Sequence, residues 1–186
     1  METPLQNFDE LAVLIGERAR NLFLSRQMAC SEAVLVVLNQ TLGGGLKENQ
    51  ALALAAPFSE GIGKSGCLCG ALAGAFLGAG LLLGVSDPAG SRTSVQKASG
   101  QLMQRFKLRF GTSCCRILAK KSQADPRPVF DRCAQQTAEV AAMAAALILD
   151  QRPELKQRVD LNFLNARDSV VGGFFKNVLR RTGCSI

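Results

Sequence analysis

Cysteine carries most of the chemistry available to this sequence, because the chain contains no His, Trp or Tyr. The lack of His excludes a Ser-His-Asp triad, a Cys-His protease pair and an imidazole metal ligand. It also excludes the C-x-x-C-H motif that attaches a c-type haem. Thiolates are strong nucleophiles and soft metal ligands, so we expect metal binding or redox chemistry from these residues. The seven cysteines are Cys30, Cys67, Cys69, Cys114, Cys115, Cys133 and Cys184.

The cysteine spacing matches none of the short dithiol motifs. The motif C-x-x-C is absent. Cys67 and Cys69 form C-x-C, and Cys114 and Cys115 are adjacent. Neither pattern alone is a strong metal signal.

The first ten residues are acidic and lack the apolar stretch of a secretory signal, so a cytoplasmic location is expected. Structural disulfides are uncommon in that compartment, and an odd number of cysteines also argues against a fully paired framework.

The elements that must position these thiols are predicted to be helices. Apolar residues recur at helical spacing, and no segment alternates with the period of a strand. We therefore predict an all-α fold, a helical bundle of about six to seven helices with short loops. Residues 1–150 are expected to form the cysteine-containing domain, and 151–186 a basic, part-helical tail that begins near the helix breaker Pro153. The predicted helices cover 7–27, 30–42, 47–58, 69–84 and 91–110, a short helix to 119 capped by Thr112 or Ser113, and 125–151 with Asp125 at its cap and Pro126 in its first turn.

Four of the cysteines fall near predicted helix starts. Cys30 and Cys69 lie at such starts, Cys115 lies just inside the short sixth helix, and Cys133 lies in the second turn of the seventh. The positive end of a helix dipole favours thiolate over thiol. Cys30 and Cys133 continue apolar helix faces, so these thiols are expected to point into the bundle. One buried cysteine is usually inert, but four favour a shared four-thiolate site, which suits Zn²⁺ or an iron–sulfur cluster.

The charge is +7 and is uneven along the chain. From Gln151 onwards there are seven Lys/Arg against three Asp/Glu, which favours an acidic partner. No nucleic-acid motif is visible and the only aromatic residue type is Phe, so nucleic acid is not expected as a partner. A basic amphipathic helix is predicted over 168–181; we favour its packing on the bundle or on a second subunit, in a homo-oligomer, over binding to lipid.

Two further segments have a functional interpretation that we reject. Residues 66–86 are uncharged and long enough to span a membrane, but their Gly and Ala content favours the core of a bundle. Gly63-Lys64-Ser65 resembles the end of a P-loop, but the first glycine of that motif is replaced by Phe58 and no strand precedes it. The second segment is predicted to be a turn that leads into the fourth helix.

Four segments of the sequence together resemble a known protein family. They are 26–34 around Cys30, the loop from Gly61 into Cys69-Gly70-Ala71-Leu72-Ala73-Gly74, the stretch from Phe106 to Cys115-Arg116, and Cys133 with the run Val140-Ala141-Ala142. On these residues the chain resembles the redox-active protein family labelled C_GCAxxG_C_C, over roughly residues 10–150.

The resemblance implies a fold, a centre and a set of residues. The family is similar to the helical domain of split-Soret cytochromes c. This similarity implies a cysteine-ligated redox centre, with a [2Fe–2S] cluster as the first candidate, and the missing haem motif excludes a cytochrome. The ligands carried over are Cys30, Cys69, Cys115 and Cys133, and Gly70, Ala71 and Gly74 carry over as the close-packing part of the motif. Cys67, Cys114 and Cys184 are additional thiols, so Cys114 is an alternative third ligand. The tail after Gln151 lies outside the resemblance.

Three hypotheses follow for the function. The first is a redox protein that transfers electrons through an iron–sulfur cluster or another metal, zinc included, bound by the four cysteines; Ser31, Thr112 and Ser113 are candidate hydrogen-bond donors to sulfur. The second is a metal-free thiol–disulfide oxidoreductase or redox sensor, with Cys69 as the attacking thiol. The third is an accessory protein of a membrane transporter, since many family members are encoded beside transporters. The redox partner is not predicted.

Overall fold

The computed structural model describes residues 9–85, 87, 89–120, 127–170 and 172. Within these residues the chain is helical and contains no β-strand beyond one isolated bridge, which confirms the predicted all-α class. Two 3₁₀ turns, Ala56–Phe58 and Pro153–Arg158, extend the ends of two helices. The helices are α1 (Glu10–Leu24), α2 (Cys30–Leu42), α3 (Glu48–Ala55), α4 (Gly70–Leu83), α5 (Thr93–Phe110), α6 (Cys115–Ala119), α7 (Val129–Gln151) and α8 (Leu161–Asn165).

The core lies between α1, α2, α4 and α7. Helix α1 packs along α7, α2 packs along α4, and α4 also contacts α7. Small residues permit the close approach: a Cβ added at Gly16 of α1 would lie 2.6 Å from the Ala138 carbonyl oxygen of α7. Helix α3 covers α2, and α5 covers α4 and α7. The long α7 therefore serves as the scaffold on which the remaining helices are arranged.

Helix α4 comes from the uncharged segment 66–86 and is apolar on every face. Such a helix is usually buried, and ten of its fourteen residues are buried here. A Cβ added at Gly74 would overlap the Ser31 carbonyl oxygen of α2, so only glycine allows this approach. Within the part of the chain that the structure describes, no helix combines the length and the hydropathy that crossing a membrane requires.

Several predicted helix ends are corrected by the structure. Helix α7 begins at Val129, directly after Pro128, and not at the predicted Asp125; Asp125 and Pro126 lie outside the described residues. A residue before proline is disfavoured in helical conformation, so Pro128 delays the helix start. The short α6 has Cys114 at its cap position, and neither Thr112 nor Ser113 caps it; Thr112 Oγ1 accepts from the Cys114 N–H at 3.2 Å instead.

The loop between α3 and α4 contains a left-handed turn. Five consecutive residues, 60–64, have positive φ values between 53° and 79°, and three of them are not glycine. Each such non-glycine residue costs roughly 1–2 kcal/mol. Hydrogen bonds hold the turn, among them Gly63 N–H to the Pro57 carbonyl at 2.8 Å and Ser65 Oγ to the Gly61 carbonyl at 2.6 Å. The segment predicted to be a simple turn is therefore a defined structure beside the start of α4.

The described part of the tail packs against the bundle. Leu155 and Leu164 are buried in the same core as the helices of the main domain. Arg18 of α1 donates to Asp168 Oδ2 at 2.9 Å, and its guanidinium lies over the Phe163 ring. Most of the predicted helix 168–181 lies outside the described residues.

A pair of glycine substitutions in α4 tests this packing. We expect Gly74→Ala to destabilise the fold by about 1–3 kcal/mol, because the added Cβ meets the backbone of α2. Gly80→Ala is the matched control; nothing lies within 4 Å of its Cβ position, so it should stabilise the helix by about 0.5–1 kcal/mol. Urea unfolding followed by circular dichroism measures both, and equal effects would contradict the close contact between α2 and α4.

Candidate thiol centre

A short antiparallel contact places the starts of α4 and α6 side by side. Leu68 and Cys114 form the isolated bridge. On its two sides Cys69 N–H donates to the Ser113 carbonyl at 2.8 Å, and Cys115 N–H donates to the Cys67 carbonyl at 2.7 Å. Cys69 is the residue before α4 and Cys115 is the first residue of α6. The backbone pairing thus brings together two thiols that are far apart in sequence.

Helices α2 and α7 add two more thiols to the same place. Cys30 is the first residue of α2, and Cys133 lies in the second turn of α7. All four cysteines predicted to share a site line one cavity of about 20 Å³, which is room for roughly one water molecule. None of the described residues that line it is charged. The other lining residues are Gly70, Ala71, Leu118, Gln136 and Thr137.

Two glycines make room for the sulfur atoms. A Cβ added at Gly70 would lie 2.6 Å from Cys30 Sγ and 2.8 Å from the Phe58 carbonyl oxygen. A Cβ added at Gly61, in the left-handed turn, would lie 2.7 Å from Cys115 Cβ. Gly70 and Gly74 thus occupy close contacts, as the close-packing motif implies, while the role of Gly61 was not predicted. Its available sequence signal was the glycine-rich run Gly61-Ile62-Gly63-Lys64-Ser65-Gly66 that precedes Cys67.

Of the additional thiols, Cys67 and Cys114 do not line the cavity. Cys67 is exposed. The Cys114 thiol donates a hydrogen bond to the Gly66 carbonyl at 3.3 Å, so its sulfur is directed at the loop while Cys115 lines the cavity. This arrangement favours Cys115 over the alternative, Cys114, as the third member of the cluster. Cys184 lies outside the described residues.

Burial keeps these cysteines protonated. It raises the pKa of Cys69 to about 12, although the backbone N–H groups of Leu72 and Ala71 act to lower this pKa. It also raises the pKa of Cys133 to about 11, with Cys30 and Cys115 acting in the same direction. The pKa values of Cys30 and Cys115 are raised for the same first reason. The prediction that helix starts would favour thiolate is therefore wrong for the metal-free protein, because desolvation outweighs the N–H groups.

Hydrogen-bond donors to the sulfurs come mainly from the backbone. The N–H groups of Glu60 and Ser31 lower the pKa of Cys30, as those of Leu72 and Ala71 do for Cys69. The predicted donor Ser31 Oγ donates elsewhere, to the Ala55 carbonyl at 2.9 Å. Thr112 Oγ1 accepts from Cys114 N–H at 3.2 Å. Sequence reasoning missed Glu60 and the cavity-lining Gln136; the one signal for Gln136 was its position three residues after Cys133 on the helix.

The donor chemistry of the cavity fits a soft metal. Four thiols and no carboxylate surround it, and thiolates select zinc, copper(I) and iron–sulfur clusters. Across the described ranges, no group of three or more Cys, Asp or Glu side chains is already arranged to hold a metal ion. Each Sγ moves by rotation about one bond, χ1. Binding therefore requires such rotations, and a cluster requires the cavity to widen beyond its present volume.

The raised pKa values predict how the reduced, metal-free protein responds to alkali. The unfolded chain releases the Cys69 proton near pH 9, whereas the folded chain retains it to about pH 12. The contribution of this thiol to the free energy of unfolding is therefore fully present below pH 9 and is lost as the pH rises. We expect a contribution of up to about 1.4 kcal/mol per pH unit in this window. Urea unfolding with a chelator and a reductant measures it. Cys69→Ala should flatten the decline, and the exposed Cys67→Ala should leave it unchanged; no difference between the two would contradict the shift.

Comparison with known proteins identifies the family to which this sequence belongs. No curated protein and no solved structure matches the chain. The family model described as "Putative redox-active protein (C_GCAxxG_C_C)" matches residues 28–147, about two thirds of the chain, and this range includes all four cavity cysteines. The chain therefore belongs to the C_GCAxxG_C_C family of redox-active proteins.

Proposed function

We propose that the protein transfers electrons through a metal centre held by Cys30, Cys69, Cys115 and Cys133, with an iron–sulfur cluster as the first candidate. One observation carries the proposal: four thiols from the starts of α2, α4 and α6 and from α7 line a single cavity without a charged side chain. The family description supports redox chemistry in general. The identity of the metal rests on the soft donor set and on the resemblance to cluster-binding domains.

Metal binding explains the burial of the thiols better than disulfide exchange does. An attacking cysteine must be a thiolate, and burial raises the pKa of each of these four thiols. Among the described residues, no cationic side chain lines the cavity, and the one cation that acts to lower the pKa of Cys133, Arg132, is outweighed by desolvation. A bound metal cation supplies that positive charge and displaces the protons. The same environment is thus unfavourable for a metal-free thiol–disulfide enzyme and suitable for a metal–thiolate centre.

The residues of the chain would set the properties of such a centre. When bound, the centre supplies reversible one-electron transfer without a change in covalent bonds to substrate. The backbone N–H groups of Glu60, Ala71 and Leu72 would stabilise negative charge on sulfur, which raises the reduction potential. Burial of Cys69, which is 6% exposed, would exclude water and lower the potential. The contacts at Gly70 and Gly61 would hold Cys30 and Cys115 in position.

Anaerobic purification followed by quantitation of iron, acid-labile sulfide and zinc tests the proposal. We expect iron and sulfide in matching amounts, together with a visible absorption spectrum. Cys69→Ser should abolish both, because it removes the most buried of the four thiols. Cys67→Ser, two residues away and exposed, is the matched control and should retain the metal and the spectrum.

The other outcomes assign different chemistry. Zinc without sulfide would replace the cluster with a structural or switching zinc site. A colourless, metal-free protein that forms a reversible internal disulfide would overturn the metal proposal in favour of thiol–disulfide chemistry. The transporter association, the cytoplasmic location and the homo-oligomer stay predictions. A truncation that tests the tail should begin after Gly172, since Leu155 and Leu164 belong to the core.

A further inference from the structure

The strongest concentration of positive charge lies in α5 and α6, not in the tail. From position 88 to position 124 the sequence contains no Asp or Glu. This acid-free stretch includes the whole of α5 and α6. It was overlooked at the level of sequence, where only the charge after Gln151 was considered. Its basic residues are Arg92, Lys97, Arg105, Lys107, Arg109, Arg116, Lys120 and Lys121.

The stretch leads directly to the thiol centre. Four residues, Gly111 to Cys114, join the end of α5 to Cys115, the first residue of α6. Cys115 is the least buried of the four cavity cysteines. The next residue, Arg116, is exposed and donates to the Ser65 carbonyl at 2.6 Å, which ties the left-handed turn with its exposed Lys64 to α6. Arg116, which follows Cys115, and the turn that it ties to α6 therefore place positive charge next to the least buried thiol of the centre.

Apolar side chains are exposed among these charges. Leu108 is 80% exposed in the last turn of α5, one turn after the exposed Arg105. Ile117 of α6 is 55% exposed and follows Arg116. The opposite side of α5 is anchored in the core by Leu102 and Phe106, so the exposed side is held in a fixed orientation. We call the surface formed by Arg105, Lys107, Leu108, Arg116, Ile117 and Lys120 the basic face.

Arg109 of the stretch is neutralised by an ion pair. Arg109 forms two hydrogen bonds with the buried carboxylate of Glu139, at 2.6 and 3.1 Å. This ion pair fastens the end of α5 to α7 and leaves Arg105 and Lys107, on either side of the Phe106 anchor, exposed. The exposed Glu60 in the neighbouring turn is an opposing charge near the centre, since it acts on Cys115. The face as a whole remains strongly positive.

We propose that the basic face docks an acidic electron-carrier protein over Cys115. The inference rests on the proposed redox function and names its partner class. An apolar centre with a charged rim is the usual anatomy of a transient protein interface, and complementary charge accelerates and orients such encounters. In the exchange, one electron passes from the reduced partner to the oxidised centre, or back, and no bond is formed or broken.

A protein fits this face better than a nucleic acid or a membrane. Single-stranded nucleic acid requires exposed aromatic rings for stacking, but in α5 Phe106 is buried and Phe110 is half-buried. Membrane-surface helices present a continuous apolar side, whereas Leu108 is the single large apolar residue exposed on α5. The position of the charges beside the redox-active cysteines favours a partner that exchanges electrons.

Binding of an acidic plant-type ferredoxin, used as the probe, tests the docking surface. The anaerobically purified full-length protein should bind it at low salt, and the affinity should fall steeply towards about 0.15 M salt. Lys107→Glu should weaken binding at least about fivefold. Lys47→Glu is the matched control, because Lys47 is an exposed lysine beyond the far end of α2, and it should change binding less than about twofold. Leu108→Ser should weaken binding without changing its dependence on salt.

Other outcomes overturn the inference. Equal effects of Lys107→Glu and Lys47→Glu on binding would show that the partner responds to the net charge of the protein and not to the basic face. Tighter binding of duplex DNA or of anionic vesicles than of ferredoxin, with the same loss in Lys107→Glu, would assign the face to that class of partner. Metal analysis keeps the two proposals separate: a metal-free protein that still shows the Lys107-specific loss would contradict the metal centre and leave the docking surface standing.

Discussion

The close approach of α4 to α2 is the contact on which the thiol centre depends. It requires glycine at two positions one turn apart, since a Cβ at Gly74 would overlap the backbone of α2 and a Cβ at Gly70 would reach Cys30 Sγ. With these helices in contact, Cys69 lies beside Cys30. The backbone pairing of 67–69 with 113–115 then adds Cys115, and the packing of α4 on α7 adds Cys133. A bulkier residue at either glycine would push α4 away from α2 and separate Cys69 from Cys30.

Burial of the four thiols creates an electrostatic tension within the folded protein. Without a metal, the cavity favours neutral thiols, and desolvation raises the pKa of each one above its usual value. The backbone N–H groups of Glu60 and Ser31 nevertheless act to lower the pKa of Cys30, and those of Leu72 and Ala71 act to lower the pKa of Cys69. Such N–H groups stabilise thiolates. A cation in the cavity would reconcile these opposing effects. Metal binding and stability are then coupled, because the bound form gains the thiolate hydrogen bonds without the full cost of desolvation.

The interior and the surface of the molecule have complementary roles in the proposed function. The centre is enclosed by apolar helices, which keeps water away from the sulfurs. In the proposed function, the acid-free helices α5 and α6 supply the positive charge that would attract an acidic electron carrier to the least buried thiol, Cys115. The Arg109–Glu139 pair and the Arg116–Ser65 hydrogen bond hold this surface against the frame that positions the thiols. The proposed docking surface and Cys115 thus belong to the same short stretch of chain.

Local sequence signals determined the all-α class, the bounds of α2 and the positions of Cys30, Cys69 and Cys115 at helix starts, because hydrophobic periodicity and glycine act over a few residues. The same local reasoning misplaced the start of α7, where Pro128 outweighed Asp125, and the cap of α6, where Cys114 occupies the cap position. Only the tertiary structure directed Cys115 into the cavity and Cys114 towards Gly66, since the pairing across the Leu68–Cys114 bridge involves residues far apart in the chain. It also reversed the expected thiol ionisation, because desolvation arises from every helix packed around a sulfur and not from the helix on which that sulfur lies.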